Sequence, residues 1–232
     1  MIRKNKKSEN FQNIFEKLIK MKPIDTSKLV QNTYNHIASK YHRRYKQYSE
    51  FLLRSSREFI KLLPKNAKIL DVGCGPGRDA KFFLNQGFEV VAIDFSNEML
   101  KIAKKVAPKV KFIRSDFRNL KLPKNSFDGI WSYFSLLHLK RGEMHSLLSS
   151  LNKILKNNGI LFIATQEGKG EVIEPENLDN HYQIYKTFYS KEELSQLVKK
   201  SKFKIIEART DFDRVKPKGR IVVVFAQKQF PD

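Results

Sequence analysis

The sequence predicts an α/β protein: a doubly wound, seven-stranded, mostly parallel sheet preceded by a helical cap. Three observations carry that expectation. From Lys68 onward short apolar runs alternate with helical patterns, and strands alternating with helices imply a parallel sheet covered on both faces. The last two runs are joined by a short basic loop, residues 214–220, which favours an antiparallel pair over another crossover. The length of 232 residues suits one such domain with a modest appendage.

Taken in order, the first ten residues read as a polar tail. Phe11, Ile14, Phe15, Leu18 and Ile19 then recur at helical spacing, which gives an amphipathic helix ending before Pro23. Two more helices are expected over residues 27–45 and 48–63, and Pro64-Lys65-Asn66 closes this region. The chain thus divides into a basic tail with its amphipathic helix (1–25), a helical cap (26–66) and an α/β core (67–232). Core strands are expected at 69–72, 90–93, 110–113, 129–131 and 160–164, with helices at 78–86, 97–106 and 141–155. Asn157-Asn158-Gly159 is expected to end the last of these helices with a left-handed cap. Between 166 and 187 the rhythm loosens into a polar segment. Ser190 opens a further helix, with Glu193 three positions on completing a capping box. Strands at 203–208 and 221–226 close the chain.

Charge and cysteine content narrow the function classes. The net charge is +21, and residues 1–67 hold 16 Lys and Arg against 5 Asp and Glu, so +11 of it falls there. Such a field attracts polyanions and admits RNA as a partner. Against that, 33 lysines to 12 arginines point to biased composition, because specific phosphate recognition favours the bidentate arginine fork. One cysteine, Cys74, excludes an internal disulfide and an all-cysteine metal centre, and no metal site is expected. No apolar run reaches the ~18 residues of a membrane helix. The first ten residues lack the apolar region of a secretory signal, so a reducing, cytoplasmic setting is the expectation.

The strongest motif is Ile69-Leu70-Asp71-Val72-Gly73-Cys74-Gly75-Pro76-Gly77-Arg78-Asp79, an apolar strand running into three glycines with a helix behind. Glycine permits a sharp turn and a close approach of backbone to ligand. The helix N-terminus presents unpaired N–H groups to an anionic group. Asp94 ends the second strand 21 residues after Gly73, where an acid can accept both hydroxyls of a ribose. Ser115-Asp116-Phe117 follows the third strand, and Phe127 to Tyr133 forms a fourth. All four points fall at carboxyl ends of strands, where open α/β sheets bind ligands.

On these residues the chain resembles the class I S-adenosylmethionine-dependent methyltransferases, which are Rossmann-like, over about residues 30–230. The resemblance implies S-adenosyl-L-methionine as cofactor. It places Gly73, Gly75 and Gly77 along the methionyl part, with Asp71 on its amino group. It puts Asp94 on the ribose, Phe95 and Met99 against the adenine, Asp116 and Phe117 at the adenine edge, and Tyr133 beside the sulfonium. Tyr34 and Tyr41 match a Tyr-x₆-Tyr pattern in an N-terminal helix that covers the cofactor.

Methyl transfer is an in-line displacement, so the protein orients and desolvates the acceptor and, where needed, removes its proton. A general base matters only in that last case. His138 and His181 are the catalytic candidates, with Tyr133, Glu167 and Tyr182 nearby in the pattern. No cysteine outside the glycine loop offers the nucleophile that carbon-5 methylation of pyrimidines needs. Ser132-Tyr133-Phe134-Ser135 lacks the proline that usually marks amino methylation of DNA bases. The expected function is methyl transfer to an O or N atom of a small-molecule acceptor. That acceptor should touch Tyr41 or Tyr45 on one side and His181, Tyr182 or Tyr185 on the other. Two alternatives stand beside it. One is a tRNA-directed methyltransferase, suggested by the basic N-terminal region and by Lys216, Lys218 and Arg220; the other is a non-catalytic polyanion-binding protein that keeps the fold.

Overall fold

A computed structural model describes residues 24–212 and 219–229. The amphipathic stripe from Phe11 to Ile19, and Lys216 and Lys218, lie outside the described residues. Helix α1 (Thr26–Tyr45) starts at Asp25, whose carboxylate accepts from the Lys28 amide, and ends among His42, Arg43 and Arg44. An acidic cap at the positive end and cations at the negative end suit the helix dipole. Helix α2 (Glu50–Lys61) is capped by the Ser49 side chain accepting from the Leu52 amide.

The sheet is built from β1 (Lys68–Val72), β2 (Glu89–Asp94), β3 (Lys111–Arg114), β4 (Phe127–Tyr133), β5 (Leu155–Gln166), β8 (Phe203–Phe212) and β9 (Arg220–Lys228). Helices α3 (Arg78–Asn85), α4 (Asn97–Val106), α5 (Met144–Ile154) and α6 (Lys191–Lys200) lie between them, and β6 (Glu171–Glu176) with β7 (Asp179–Thr187) form a separate hairpin. The strand order is β3-β2-β1-β4-β5-β9-β8, and β9 alone runs opposite to the other six strands. This is the expected doubly wound sheet, with its direction of growth reversing between β1 and β4. Ligands bind at such a switch point. No helix among the described residues is long and apolar enough to cross a membrane.

Period-two alternation along the strands sends side chains to two apolar layers. Leu70, Val72, Ile130, Leu161 and Ile163 meet Leu147, Leu148 and Leu151 of α5 and Leu194 of α6. Ile69, Trp131, Phe162 and Phe225 meet Phe51 and Phe59 of α2 and Phe83 of α3 on the other face. Trp131 stacks on Phe162 at 3.9 Å, and its indole N–H donates to Asp79 at 3.0 Å. That bond satisfies a polar atom which burial would otherwise strand.

Two local expectations need correction. Helix α5 ends at Ile154 because Leu155 is already extended, and Asn158, with φ of 61°, sits in a bulge of β5 and does not cap the helix. The polar stretch after Gln166 is a hairpin, with Ile173 opposite Tyr185. Its strands hold too many exposed positions to show a clean alternation, which is why the sequence reads as irregular.

Candidate functional site

A cleft of about 500 Å³ opens over the carboxyl ends of β1, β2 and β4. Gly73, Gly75, Asp94, Phe95, Met99, Phe117, Tyr133, Tyr34 and Tyr41 all line it, together with Phe134, Ser135 and His138. The glycine loop earns its composition by close approach. At Gly73 (φ +72°) an added Cβ would lie 2.3 Å from the Ser135 Cβ, whereas at Gly75 it would meet nothing within 4 Å. Asp94 joins this loop to the next turn, accepting from the Gly75 amide at 2.9 Å and the Ser96 amide at 2.8 Å. Burial pushes its carboxyl up to about 6 even though both amides, and that of Phe95, favour the charged form.

Three expected residues lie outside that cleft. Gly77 packs on α4, where a Cβ would stand 3.0 Å from that of Ala103. Asp116 caps a short turn and accepts from Arg118 at 2.7 Å and from the Ser27 hydroxyl at 3.1 Å, so it ties down the start of α1. Asp71 is buried beneath the loop, and its Oδ2 has no hydrogen-bond partner. Burial, reinforced by the nearby Asp79 carboxylate, drives its pKa well above the ordinary value. Cys74 is also buried, and burial pushes its thiol up, which suits a packed residue and not a nucleophile.

Helix α1 is the roof. Gln31 donates to the Phe95 carbonyl at 2.8 Å, the Ser96 hydroxyl donates to Asn35 at 2.7 Å, and the Thr33 hydroxyl donates to the Gln183 carbonyl at 2.6 Å. At its far end Arg78, paired with Asp79 at 2.7 Å, donates to the Tyr45 carbonyl at 3.1 Å. The roof is therefore fastened to the ends of β2 and β3, to the glycine loop and to the hairpin.

Residues 69–159 match a family described as "Methyltransferase domain". Over that stretch the chain is similar to a methyltransferase domain. A malonyl-(acyl-carrier protein) O-methyltransferase of Enterobacter lignolyticus is 28% identical over 123 residues, 52% of this chain and 48% of that protein. A demethylmenaquinone methyltransferase of Paenarthrobacter aurescens is 36% identical over 97 residues, 42% of this chain and 38% of that one. The chain thus spans about half the length, or less, of these curated relatives. Among solved structures, a Burkholderia thailandensis 1,6-didemethyltoxoflavin-N1-methyltransferase with its substrate and S-adenosylhomocysteine bound superposes with a TM-score of 0.70 at 19% identity. That likeness covers 90% of this chain and 93% of the other, and it shows the shared fold.

A second chamber of about 670 Å³ adjoins the first. Tyr34, Tyr41, Phe134 and His138 face both spaces. In that common wall the Tyr34 hydroxyl lies 2.7 Å from His138 Nε2, and His138 Nδ1 lies 2.8 Å from the Tyr185 carbonyl oxygen. A carbonyl only accepts, so His138 donates its Nδ1–H to Tyr185, and in a neutral ring Nε2 accepts the hydrogen bond of the Tyr34 hydroxyl. Burial, with Tyr41 and Glu176 adding to it, pushes the Tyr34 pKa well up. The remaining lining comes from Tyr45, Gln166, Glu176, Lys186 and Arg220 among others. Arg220 pairs with Glu167 at 2.9 Å and Lys186 with Glu174 at 2.7 Å.

His181 is corrected here. Its side chain is 87% exposed and lies 3.1 Å from Asp179, away from both chambers. Tyr182 stacks on His36 of α1 at 4.6 Å, and the Tyr185 hydroxyl turns to Glu171 and Thr187. Hairpin formation explains the difference, because it lays the start of β7 over α1 and brings only later positions such as Lys186 to the chamber. Glu176, Lys186 and Gln166 were missed. Their neighbourhood carries no periodic signal, and only the Arg220 position, in a basic loop, gave any hint.

Proposed function

We propose that the protein transfers a methyl group from S-adenosyl-L-methionine to a hydroxyl oxygen of a small-molecule acceptor. The observation that carries this reading is the Tyr34–His138 pair, set in the wall between the two chambers. The residues around the first chamber fit the cofactor. Asp71 Oδ2 is a buried acceptor without a partner and would receive the methionyl amino group, and the open space at Gly75 leaves room for the chain beside it. Asp94 would take the ribose, with Phe95, Met99 and Phe117 as the apolar surround of the adenine and Tyr133 and Tyr41 as further walls. Asp116, engaged by Ser27 and Arg118, would act through the roof that it holds.

The bound cofactor supplies a methyl group on a sulfonium. The chain supplies the route for the acceptor's proton. Tyr34 has given its hydrogen bond to His138, so its oxygen offers lone pairs to an incoming hydroxyl. As the acceptor oxygen took the methyl group and the carbon–sulfur bond broke to leave the thioether, its proton would pass to Tyr34 and the Tyr34 proton to His138 Nε2, which would later return it to water. Such positioned acid–base transfer is worth about 10²–10⁴-fold in rate. The aromatic wall excludes water from the reacting oxygen, and the polar side formed by Glu176, Gln166 and Lys186 holds the rest of the acceptor. One of the curated relatives is itself named an O-methyltransferase.

Calorimetry with S-adenosylhomocysteine and with NAD tests the first half. Binding of NAD and of no S-adenosyl ligand would end the reading. Transfer of labelled methyl to panels of phenols, carboxylic acids and amines tests the second, and hydroxyl acceptors should be methylated in preference to amines.

A further inference from the structure

The opposite end of the sheet carries a second feature that methyl transfer leaves unused. A groove of about 1380 Å³ runs between the loop before β4, helix α5 and the turn from α6 into β8. These are the amino ends of β4, β5 and β8, joined by the carboxyl end of the antiparallel β9. Both chambers open at the other end. The floor is braced by backbone: the Asn125 amide donates to the Lys153 carbonyl at 3.0 Å, and the Asn152 side chain donates to the Lys202 carbonyl at 3.0 Å. Lys228 is consumed internally, donating to the Leu155 carbonyl at 2.7 Å and to Asn125 at 2.9 Å.

The lining is chemically one-sided. Among the described residues it contains lysine, asparagine, serine, histidine and glutamine, with no acidic and no apolar side chain. Lys124, Lys153, Lys200 and Lys202 are exposed, and none is among the ion pairs formed by the described residues. Unpaired lysines occur over the rest of the described surface too, but here four of them line one groove that holds no acidic side chain. Leaving four cations together without a counter-charge is unfavourable for the isolated fold and favourable only toward an anion.

We propose that this groove binds the phosphodiester backbone of RNA, without regard to base sequence, at a site separate from the methyl-transfer chambers. A protein partner fits the lining poorly, since interface cores are apolar and aromatic and depleted in lysine. A membrane surface fits poorly too, because no apolar side chain is available to enter it. Lysine, serine, asparagine and glutamine are the residue types that contact phosphate and sugar. The lack of an aromatic platform removes base stacking, and the lack of arginine removes the bidentate fork, which leaves point-charge reading of the backbone. RNA held here lies at the wrong end of the sheet for presentation to Tyr34 and His138. The groove therefore localises the enzyme and leaves the acceptor a small molecule.

The test is fluorescence anisotropy of the full chain with two short labelled single-stranded RNAs of unrelated sequence, over a range of salt. The two should bind within about threefold of each other, with affinity falling steeply as salt rises. The variant K124E/K153E/K200E/K202E should bind at least about tenfold more weakly, with a salt slope smaller by roughly three, since each single-strand phosphate contact contributes about 0.7. Its cofactor affinity and melting temperature should stay at the parent values. Unchanged RNA binding in that variant, or no RNA binding by the parent protein, overturns the proposal. A control with glutamate at Lys4, Lys6, Lys7 and Lys17 separates site from net charge. An equal loss there assigns the effect to overall charge and also overturns the groove. Neither result touches the methyl-transfer reading, which the calorimetry above decides.

Discussion

The two chambers share a wall but arise by different routes. The chamber proposed for the cofactor draws Gly73, Gly75, Asp94, Phe95, Met99 and Phe117 from one continuous stretch, each just beyond a parallel strand or in the first turn of the helix after it. The chamber proposed for the acceptor gathers Tyr34 from α1, His138 from the turn after β4, Gln166 from β5, Glu176 and Lys186 from the hairpin and Arg220 from β9. A doubly wound sheet delivers the first set automatically, because right-handed crossovers place all its strand ends on one edge. The second set exists only if the helical roof and the hairpin fold against each other. The cofactor chamber is a consequence of topology, and the acceptor chamber is an addition to it.

That contrast can be broken by experiment, first at the wall. His138→Gln and Tyr34→Phe should each lower kcat about 10²–10⁴-fold while the Kd for S-adenosylhomocysteine stays within about threefold. A parallel loss of cofactor affinity in calorimetry would move the pair to the cofactor side. Next, Asp94→Ala removes a charge-assisted acceptor and should weaken cofactor binding by roughly 1.5–3 kcal/mol.

The same residue sets a pH dependence. With its carboxyl at about 6, Asp94 becomes protonated as pH falls through that value, and cofactor affinity should fall with it. Asp94→Asn should remove this dependence. For the cofactor-free protein the sign reverses. The native state keeps the proton up to about 6 while the unfolded chain loses it near 3.8, so this group's contribution to stability is present below that lower value and is lost as pH rises through about 6. Urea melts of the parent and Asp94→Asn across that window check it.

Smaller effects sharpen the acceptor side. Glu176→Gln should raise the acceptor KM by roughly tenfold, the size of one hydrogen bond to a charged group, and leave cofactor binding untouched. His181→Ala combined with Tyr182→Phe should change kcat by less than about twofold, since surface changes of this kind stay within about 0.5 kcal/mol. A large loss of turnover in that double variant would return the hairpin's outer end to the acceptor site.

The sequence by itself determined the sheet, its antiparallel last strand and most of the first chamber. Strand, glycine turn and helix follow one another in the chain, so the pattern around Gly73 and the acid at Asp94 are legible as local chemistry. The apolar runs marked the core strands, and the structure divides their residues between two faces, Leu70 and Ile130 on one and Ile69 and Trp131 on the other. Tertiary structure alone decided the rest. Nothing local tells that the Asp116 carboxylate meets Ser27, 89 positions away, or that His138 lies between Tyr34 and the Tyr185 carbonyl. Nor does it tell that His181, in the same segment as Lys186, points to water. Periodicity reports whether a side chain is covered and not by what, and the polar contacts that make an acceptor pocket or a basic groove join residues that no short-range pattern links.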